Sequence, residues 1–441
     1  MIKSRSQRLE RVNIDMSNIR AIKAREVLDS QGLPTLQIFL WIDDGRSVVV
    51  YVPNEWNYEN PKAFVNRDND EQEFAGKGVK NAVNNINLII APQLLGKSCL
   101  QQGEFDKSLL TMDGTNNKSK LGTNVLLGLS MAVLKAGALS TNLPLYSYVQ
   151  QKYQLTDFLT TPSCIYPLIN GGDFGNDNLD FQEFELIPAS HIDFQKSITM
   201  ASTLKEKIKE VIESKGGSVC TGPLGGYLPR MNSNSEVYEL LLEAIKATHY
   251  TFAQDVFFGL DAAADDIVID DHYKLRDKPD RYNSSDLLKF YLNLRERYKT
   301  IYLEDPFFSE DQKSWQKITD QLGDTTKIVG DEFIRGDREK LQKAIKDKIC
   351  NTLSIKLLDF GTVSETIQAA KVAKQAQWST VVADHSGETN ETLIVDLAVG
   401  IGADYVKFGP PNRGERIAKY NRMIEINEEI DVPEQAPQQN S

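Results

Sequence analysis

Three carboxylates and a lysine close four successive short apolar runs in the second half of the chain. The runs are Phe257-Phe258-Gly259-Leu260-Asp261, Ile301-Tyr302-Leu303-Glu304-Asp305-Pro306, Ile328-Val329-Gly330-Asp331 and Leu353-Ser354-Ile355-Lys356. Each interval between the closing residues suits one strand plus one helix, the repeat of a (β/α)8 barrel. Barrels carry their chemistry at the C-terminal ends of the strands, so Asp261, Glu304 and Asp331 are expected to converge at one mouth. Three converging carboxylates are costly without a cation, and hard oxygen ligands suit Mg²⁺. Lys356, on the next strand beside a dication, is a candidate base for a carbon acid. The alternative is four unrelated strand-end charges, and their regular step argues against it.

Elements that could position these residues follow from patterning. An antiparallel meander is expected over Ile19–Val27, Thr35–Ile42 and Ser47–Val52, the last two joined by the turn Asp43-Asp44-Gly45-Arg46. A polar stretch from Asn54 to Phe74 reads as loop. Helical patterns follow over Val79–Leu95 and over the richly apolar Asn124–Ala138, then a short helix from Pro144 to Gln151. Tyr153–Pro162 is the expected domain boundary. Beyond it come strand-like runs at Cys164–Asn170 and Leu179–Pro188, then helices at Phe194–Ser214 and Glu236–Thr248. Ser233 and Glu236 form a capping box at the start of the latter. Strands at 256–261, 299–304, 327–331, 351–356, 379–383 and 403–407 complete eight. The expected fold class is therefore α/β: a small N-terminal α+β domain over 17–152, an antiparallel meander plus helices, followed by a (β/α)8 barrel over 153–430. Residues 1–16 are expected to be a disordered leader. The Gln/Pro-rich end, 431–441, is expected to be a disordered tail.

Composition sets the outer bounds. A chain of 441 residues with 41% hydrophobic and 25% charged residues is ordinary for a globular protein with a sizeable core. The net charge of −12 argues against nucleic acid as the main partner. Four cysteines, Cys99, Cys164, Cys220 and Cys350, are widely spaced with no CxxC, so a reducing, cytoplasmic compartment is expected. No apolar run of membrane-spanning length stands out, and no membrane partner is expected. Lys3, Arg5, Arg8 and Arg11 in the leader lack the apolar core of a secretory signal, and Glu10 and Asp15 weigh against an organellar one.

Longer motifs add a resemblance. The chain resembles the enolases in Ala24–Thr35, Gly76–Val79, Leu110–Leu121, Ile169-Asn170-Gly171-Gly172, Asp180–Phe184, Ser386-Gly387-Glu388-Thr389 and Arg416–Asn421, in the family's order from about Ile19 to Glu429. The resemblance implies an enolase-type barrel behind a small N-terminal domain. It also implies a hydro-lyase reaction in glycolysis between 2-phosphoglycerate and phosphoenolpyruvate, with Mg²⁺ as cofactor and a dimeric assembly. Residue by residue, it implies Asp261, Glu304 and Asp331 as metal ligands and Lys356 as the base. Lys407 would contact substrate, Gln182 and Glu183 would line the same pocket, and Ser386 would contact phosphate.

Other positions depart from the family pattern, and they cluster at the chemistry. In Gly222-Pro223-Leu224-Gly225-Gly226-Tyr227-Leu228-Pro229, Leu224 stands where enolases carry the glutamate that helps expel hydroxide. Phe174 replaces a histidine. In Ala383-Asp384-His385-Ser386-Gly387-Glu388, Asp384 replaces a histidine and His385 replaces the phosphate-binding arginine. The mobile family loop reads Asn54-Glu55-Trp56-Asn57-Tyr58-Glu59, without its glycines. General acid–base groups are each worth roughly 10²–10⁴ in rate, and a neutral histidine does not replace a bidentate arginine on phosphate. Glu183 and Glu332 are the local carboxylates that could compensate.

Three readings follow. The first is a weak or inactive enolase relative with a binding or regulatory role, a homodimer or a heterodimer with an enolase paralogue. The second is a divergent but working enolase. The third is another metal-assisted abstraction of an α-proton from a carboxylate. The site expectation is Lys356 and Glu183 for catalysis, Gln182, His385, Ser386 and Lys407 for substrate, and Asp261, Glu304 and Asp331 for metal.

Overall fold

A computed structural model describes residues 17–55, 60–175 and 179–431. The expected leader over 1–16, residues 432–441 of the expected tail, and Trp56–Glu59 of the altered loop lie outside the described residues. The described residues fall into two compact units. One takes in the described residues up to Thr160 with Lys356–Lys371 and Asp384–Gly402; the other takes in the described residues of 161–355, Val372–Ala383 and those from Ala403 onward.

The first unit opens with an antiparallel meander of β1 (Ile19–Leu28), β2 (Pro34–Ile42) and β3 (Ser47–Tyr51), as the alternation implies. Asp29 closes the β1–β2 turn by accepting the N–H groups of Gln31 and Leu33 at 2.8 and 2.9 Å. The helix Thr123–Thr141 packs on this sheet, and Gly128 permits the close approach. A Cβ there would stand 2.6 Å from both Ile38 Cδ1 and Val52 Cγ2.

This helix amends one expectation: by length and composition it could cross a membrane, yet 89% of that window is buried inside the protein. It is the core helix of its unit. The pattern over Val79–Leu95 is helical but not uniform. Lys80–Asn84 leads into a wide π turn at Asn85–Ile90 and then Ala91–Leu94. Pro92 has no N–H to give the carbonyl of Leu88, which accounts for the widening. The helix Gln102–Asp113 escaped the pattern because its buried face mixes polar Gln102, Asp106 and Asp113 with apolar Phe105 and Leu109.

The second unit is built on a closed barrel. Its strands are β4 (Ser163–Asn170), β5 (Glu183–Pro188) and β6 (Val256–Asp261), then β9 (Thr300–Glu304), β10 (Lys327–Gly330), β11 (Thr352–Ile355), β12 (Ser379–Ala383) and β13 (Tyr405–Lys407). A small ribbon, β7 (Val268–Ile269) and β8 (His272–Tyr273), follows β6. All barrel neighbours are parallel except β5, which runs antiparallel to both β4 and β6. The strand-strand-helix-helix opening thus reappears as a reversed second strand, with the helices Phe194–Ser214 and Ser235–Lys246 between β5 and β6.

Several boundaries shift. β5 starts at Glu183 rather than Leu179, β13 starts at Tyr405 rather than 403, and Asp331 and Lys356 lie one residue beyond their strands. The Ser233 hydroxyl does accept the Glu236 N–H at 3.2 Å, but the Glu236 carboxylate reaches Asn232 N–H, at 3.0 Å, instead of closing the box on Ser233. Ile165, Ile187, Tyr302, Val329 and Val381, from five different strands, form one buried cluster of the barrel.

Candidate functional site

Strand register assembles the first part of the site. Glu183 is paired with Asp261 across β5 and β6, and Asp261 with Glu304 across β6 and β9. Three carboxylates therefore stand side by side at the rim, where reversal of β5 brings its first residue level with the last residues of its neighbours. Lys407, last residue of β13, reaches into this row. Its Nζ lies 2.6 Å from Glu304 Oε2, 2.9 Å from Asp261 Oδ2, 3.1 Å from Glu183 Oε2 and 3.6 Å from Glu185 Oε1. All five residues are buried.

Electrostatics follow from that burial. Desolvation pulls the Lys407 ammonium toward neutrality, but the charges of Asp261, Glu304 and Glu183 outweigh it and hold the pKa well above the ordinary lysine value. Glu185 is pushed well above the carboxylate range, first by burial, with Lys407 opposing and the neighbouring acids adding to the rise. Tyr302 donates its hydroxyl to Glu304 Oε2 at 2.5 Å. Gln182 donates Nε2–H to Asp261 Oδ2 at 3.3 Å, and Asn170 donates to Glu183 Oε1 at 3.4 Å. Glu185 and Tyr302 were not among the expected site residues. Each lies two residues from one that was, Glu183 and Glu304, and so shares its strand face.

Asp331 sits just beyond β10, two residues past Val329, which is the register partner of Glu304. Its backbone N–H is accepted by Asp305 Oδ1 at 3.1 Å. Among the described residues, no three His, Cys, Asp or Glu side chains form a ready metal-binding group. The expected convergence of three acids is therefore not preformed: Asp261 and Glu304 close on an ammonium. That ammonium is itself a stand-in cation, and it marks a place where hard oxygens demand positive charge. The donor set fits a hard dication.

The other expected residues belong to the first unit. Lys356 directly follows β11 and leads into the short helix Leu357–Phe360. His385 is fully enclosed. Its Nε2 accepts the Leu358 N–H at 3.1 Å, and its Nδ1 faces Glu55 Oε2 at 3.3 Å. Burial draws the His385 pKa down, but the hydrogen bond and charge of Glu55, with the charges of Asp359 and Glu388, carry it above the ordinary value. Glu55 is held near by its neighbour: Asn54 and Gly387 exchange two backbone hydrogen bonds, of 2.7 and 3.0 Å. A Cβ at Gly387 would stand 2.8 Å from Asp29 Oδ2 and 3.0 Å from Asn54 O, so only glycine fits. Ser386 is buried, and its carbonyl accepts from Gln31 Nε2 at 3.3 Å. The Glu55–His385 pairing was not foreseen; the signal was an acid and an imidazole at two positions that both depart from one family pattern.

In the second unit, Leu224 is buried at 7% exposure in the turn Gly222–Gly226, which Asn170 pins by accepting the Gly226 N–H at 2.8 Å. An apolar side chain is thus stably housed at that position.

Comparison with protein families gives two matches. Residues 19–149 match the model described as Enolase, N-terminal domain, and residues 158–438 match Enolase, C-terminal TIM barrel domain.

Proposed function

The chain belongs to the enolase family, and from that premise we propose that it is a weak or inactive enolase relative that acts by binding rather than by rapid turnover. Family membership implies a divalent metal, usually Mg²⁺, and a small phosphorylated carboxylate as ligand. The observation that carries the reading is the engagement of His385. A residue that should meet a phosphate has one ring nitrogen on the Leu358 N–H and the other on a carboxylate of the same chain. An incoming phosphate must displace Glu55 and then face Asp359 and Glu388, whose charges bear on the same ring. Leu224 adds to this, because a hydrocarbon cannot give a proton to a leaving hydroxide.

Asp261, Glu304 and Asp331 would hold the metal. When bound, it supplies positive charge to the carboxylate end of a substrate whose α-proton is leaving. In this reading Lys356 takes that proton. Lys407 would place an ammonium by the developing negative charge. Gln182 and Glu183 orient the ligand, and Ser386 contributes a hydroxyl to the phosphate. With base and charge present but leaving-group assistance absent, the chain is suited to hold such a carboxylate and to loosen its α-proton, and poorly suited to eliminate water.

A divergent working enolase is favoured by one observation, the intact row of Glu183, Asp261 and Glu304 with Lys407. A coupled assay for phosphoenolpyruvate formation with purified chain, 2-phosphoglycerate and Mg²⁺ separates the two. The proposal expects turnover at least about 10²-fold below an ordinary enzyme's ~10 s⁻¹. A dimer, of this chain with itself or with an enolase paralogue, is part of the proposal. Sedimentation as a single species near the 49.6 kDa of one chain would argue against the homodimer.

A further inference from the structure

Asp305 is buried between two candidate metal-binding acids in sequence and space, and nothing in the chemistry above uses it. Its backbone has φ of +40°, a left-handed turn that aspartate tolerates better than most residues, and Pro306 bars the ordinary helical alternative. In that conformation all its polar groups point to neighbouring strand ends. Its N–H donates to Val329 O in β10 at 3.1 Å, and its C=O accepts from Ala264 N, beyond the end of β6, at 3.0 Å. Its carboxylate accepts from three successive N–H groups just past β10: Asp331 at 3.1 Å, Glu332 at 2.7 Å and Phe333 at 3.5 Å. One residue earlier, Glu304 O accepts the Ala262 N–H at 2.9 Å. A single side chain and its peptide groups thus link the segments that carry Asp261, Glu304 and Asp331.

We propose that Asp305 is the positioning residue of the cation site, fixing where Asp331 stands relative to Asp261 and Glu304 without itself touching the cation. The inference rests on the reading of those three acids as metal ligands. Three N–H groups that fan toward one point need an acceptor, and a carboxylate offers acceptor sites on both oxygens. An asparagine keeps the shape and the left-handed backbone but turns an NH₂ toward at least one N–H. The segment bearing Asp331 must then shift. Groups that orient metal ligands typically change affinity by about 10–100-fold when altered.

The test is Mn²⁺ binding by the full chain, followed by the loss of the free-ion paramagnetic resonance signal, for wild type, Asp305→Asn and Asp331→Asn. The expected result is a wild-type Kd raised about 10–100-fold in Asp305→Asn, with unchanged near-ultraviolet circular dichroism, and no measurable binding in Asp331→Asn. Equal Kd in wild type and Asp305→Asn overturns the positioning role and leaves the metal reading standing. Absence of Mn²⁺ binding in wild type overturns the metal reading and this inference with it. Should Asp305→Asn not fold, amide exchange in wild type decides. The N–H groups of 331–333 should exchange slowly without metal and more slowly with Mg²⁺; fast exchange, or no response to Mg²⁺, overturns the proposal.

Discussion

His385 Nδ1 and Glu55 Oε2 lie 3.3 Å apart inside the first unit, while the Leu358 N–H fills the other ring nitrogen. The neutral ring is thereby set with its proton on Nδ1, donated to the carboxylate. Asn54 and Gly387, zipped by two backbone hydrogen bonds, bring the two side chains to the same place.

The pair should make stability depend on pH. The His385 pKa lies above its ordinary 6.5 because Glu55, Asp359 and Glu388 overcome burial. A raised folded pKa adds stability that is fully present below about pH 6.5 and is lost as pH rises through the folded value. Urea unfolding on either side of that step should show wild type losing more stability than Glu55→Gln as pH rises. Stability that climbs with pH over the same interval would show that the Leu358 contact keeps the ring neutral.

Lys407 should be a strong stabilising residue in the metal-free protein. Lys407→Met strands Glu183, Glu185, Asp261 and Glu304 without their ammonium. Breaking such a buried cluster costs about 3–5 kcal/mol. Chemical denaturation of wild type and Lys407→Met at neutral pH measures it, and a variant as stable as wild type would show that the ammonium contributes nothing to the folded state.

Mg²⁺ should raise the melting temperature, with binding at 100 times Kd adding about 2.7 kcal/mol. Asp331→Asn should remove the rise. Lys407→Met should enlarge it, because the dication no longer competes with an ammonium for Asp261 and Glu304. Differential scanning fluorimetry with and without millimolar Mg²⁺ is sufficient, and an unresponsive wild type would show the acids to be vestigial as ligands.

Much of this was legible in the chain. The strand ends at Asp261 and Glu304 follow from apolar runs stopped by acids, and the meander follows from alternation and the turn at Gly45. The helix Gln102–Asp113 was not legible, because polar groups that satisfy one another, such as Gln102 Nε2 with Asp106 and Ser130, occupy its inner face. Nor was the reach of Lys407. Its side chain crosses to acids from β5, β6 and β9, and only barrel closure, with β13 beside β4, makes that possible. The role of Asp305 was hidden in plain view beside Glu304, since nothing in sequence tells a carboxylate that binds outward from one that gathers backbone N–H groups.

Restoring single groups should achieve little. Leu224→Glu returns a carboxylate but leaves the Glu55–His385 pair in place. Combining Leu224→Glu with Asp384→His and His385→Arg should raise phosphoenolpyruvate formation well beyond the product of the separate gains, because groups that act as a unit are not additive. Steady-state rates of the single and triple variants decide this, and a triple variant no faster than Leu224→Glu would place the defect elsewhere.

With Lys356 present and Leu224 in place of an acid, proton abstraction should survive while elimination does not. This is tested most directly by incubating the wild-type chain with Mg²⁺ and 2-phosphoglycerate in D₂O and following both products by nuclear magnetic resonance. Deuterium should enter C2 of 2-phosphoglycerate faster than phosphoenolpyruvate appears, with exchange lost in Lys356→Ala. Phosphoenolpyruvate forming at about 10 s⁻¹, with no excess of exchange over elimination, would contradict it.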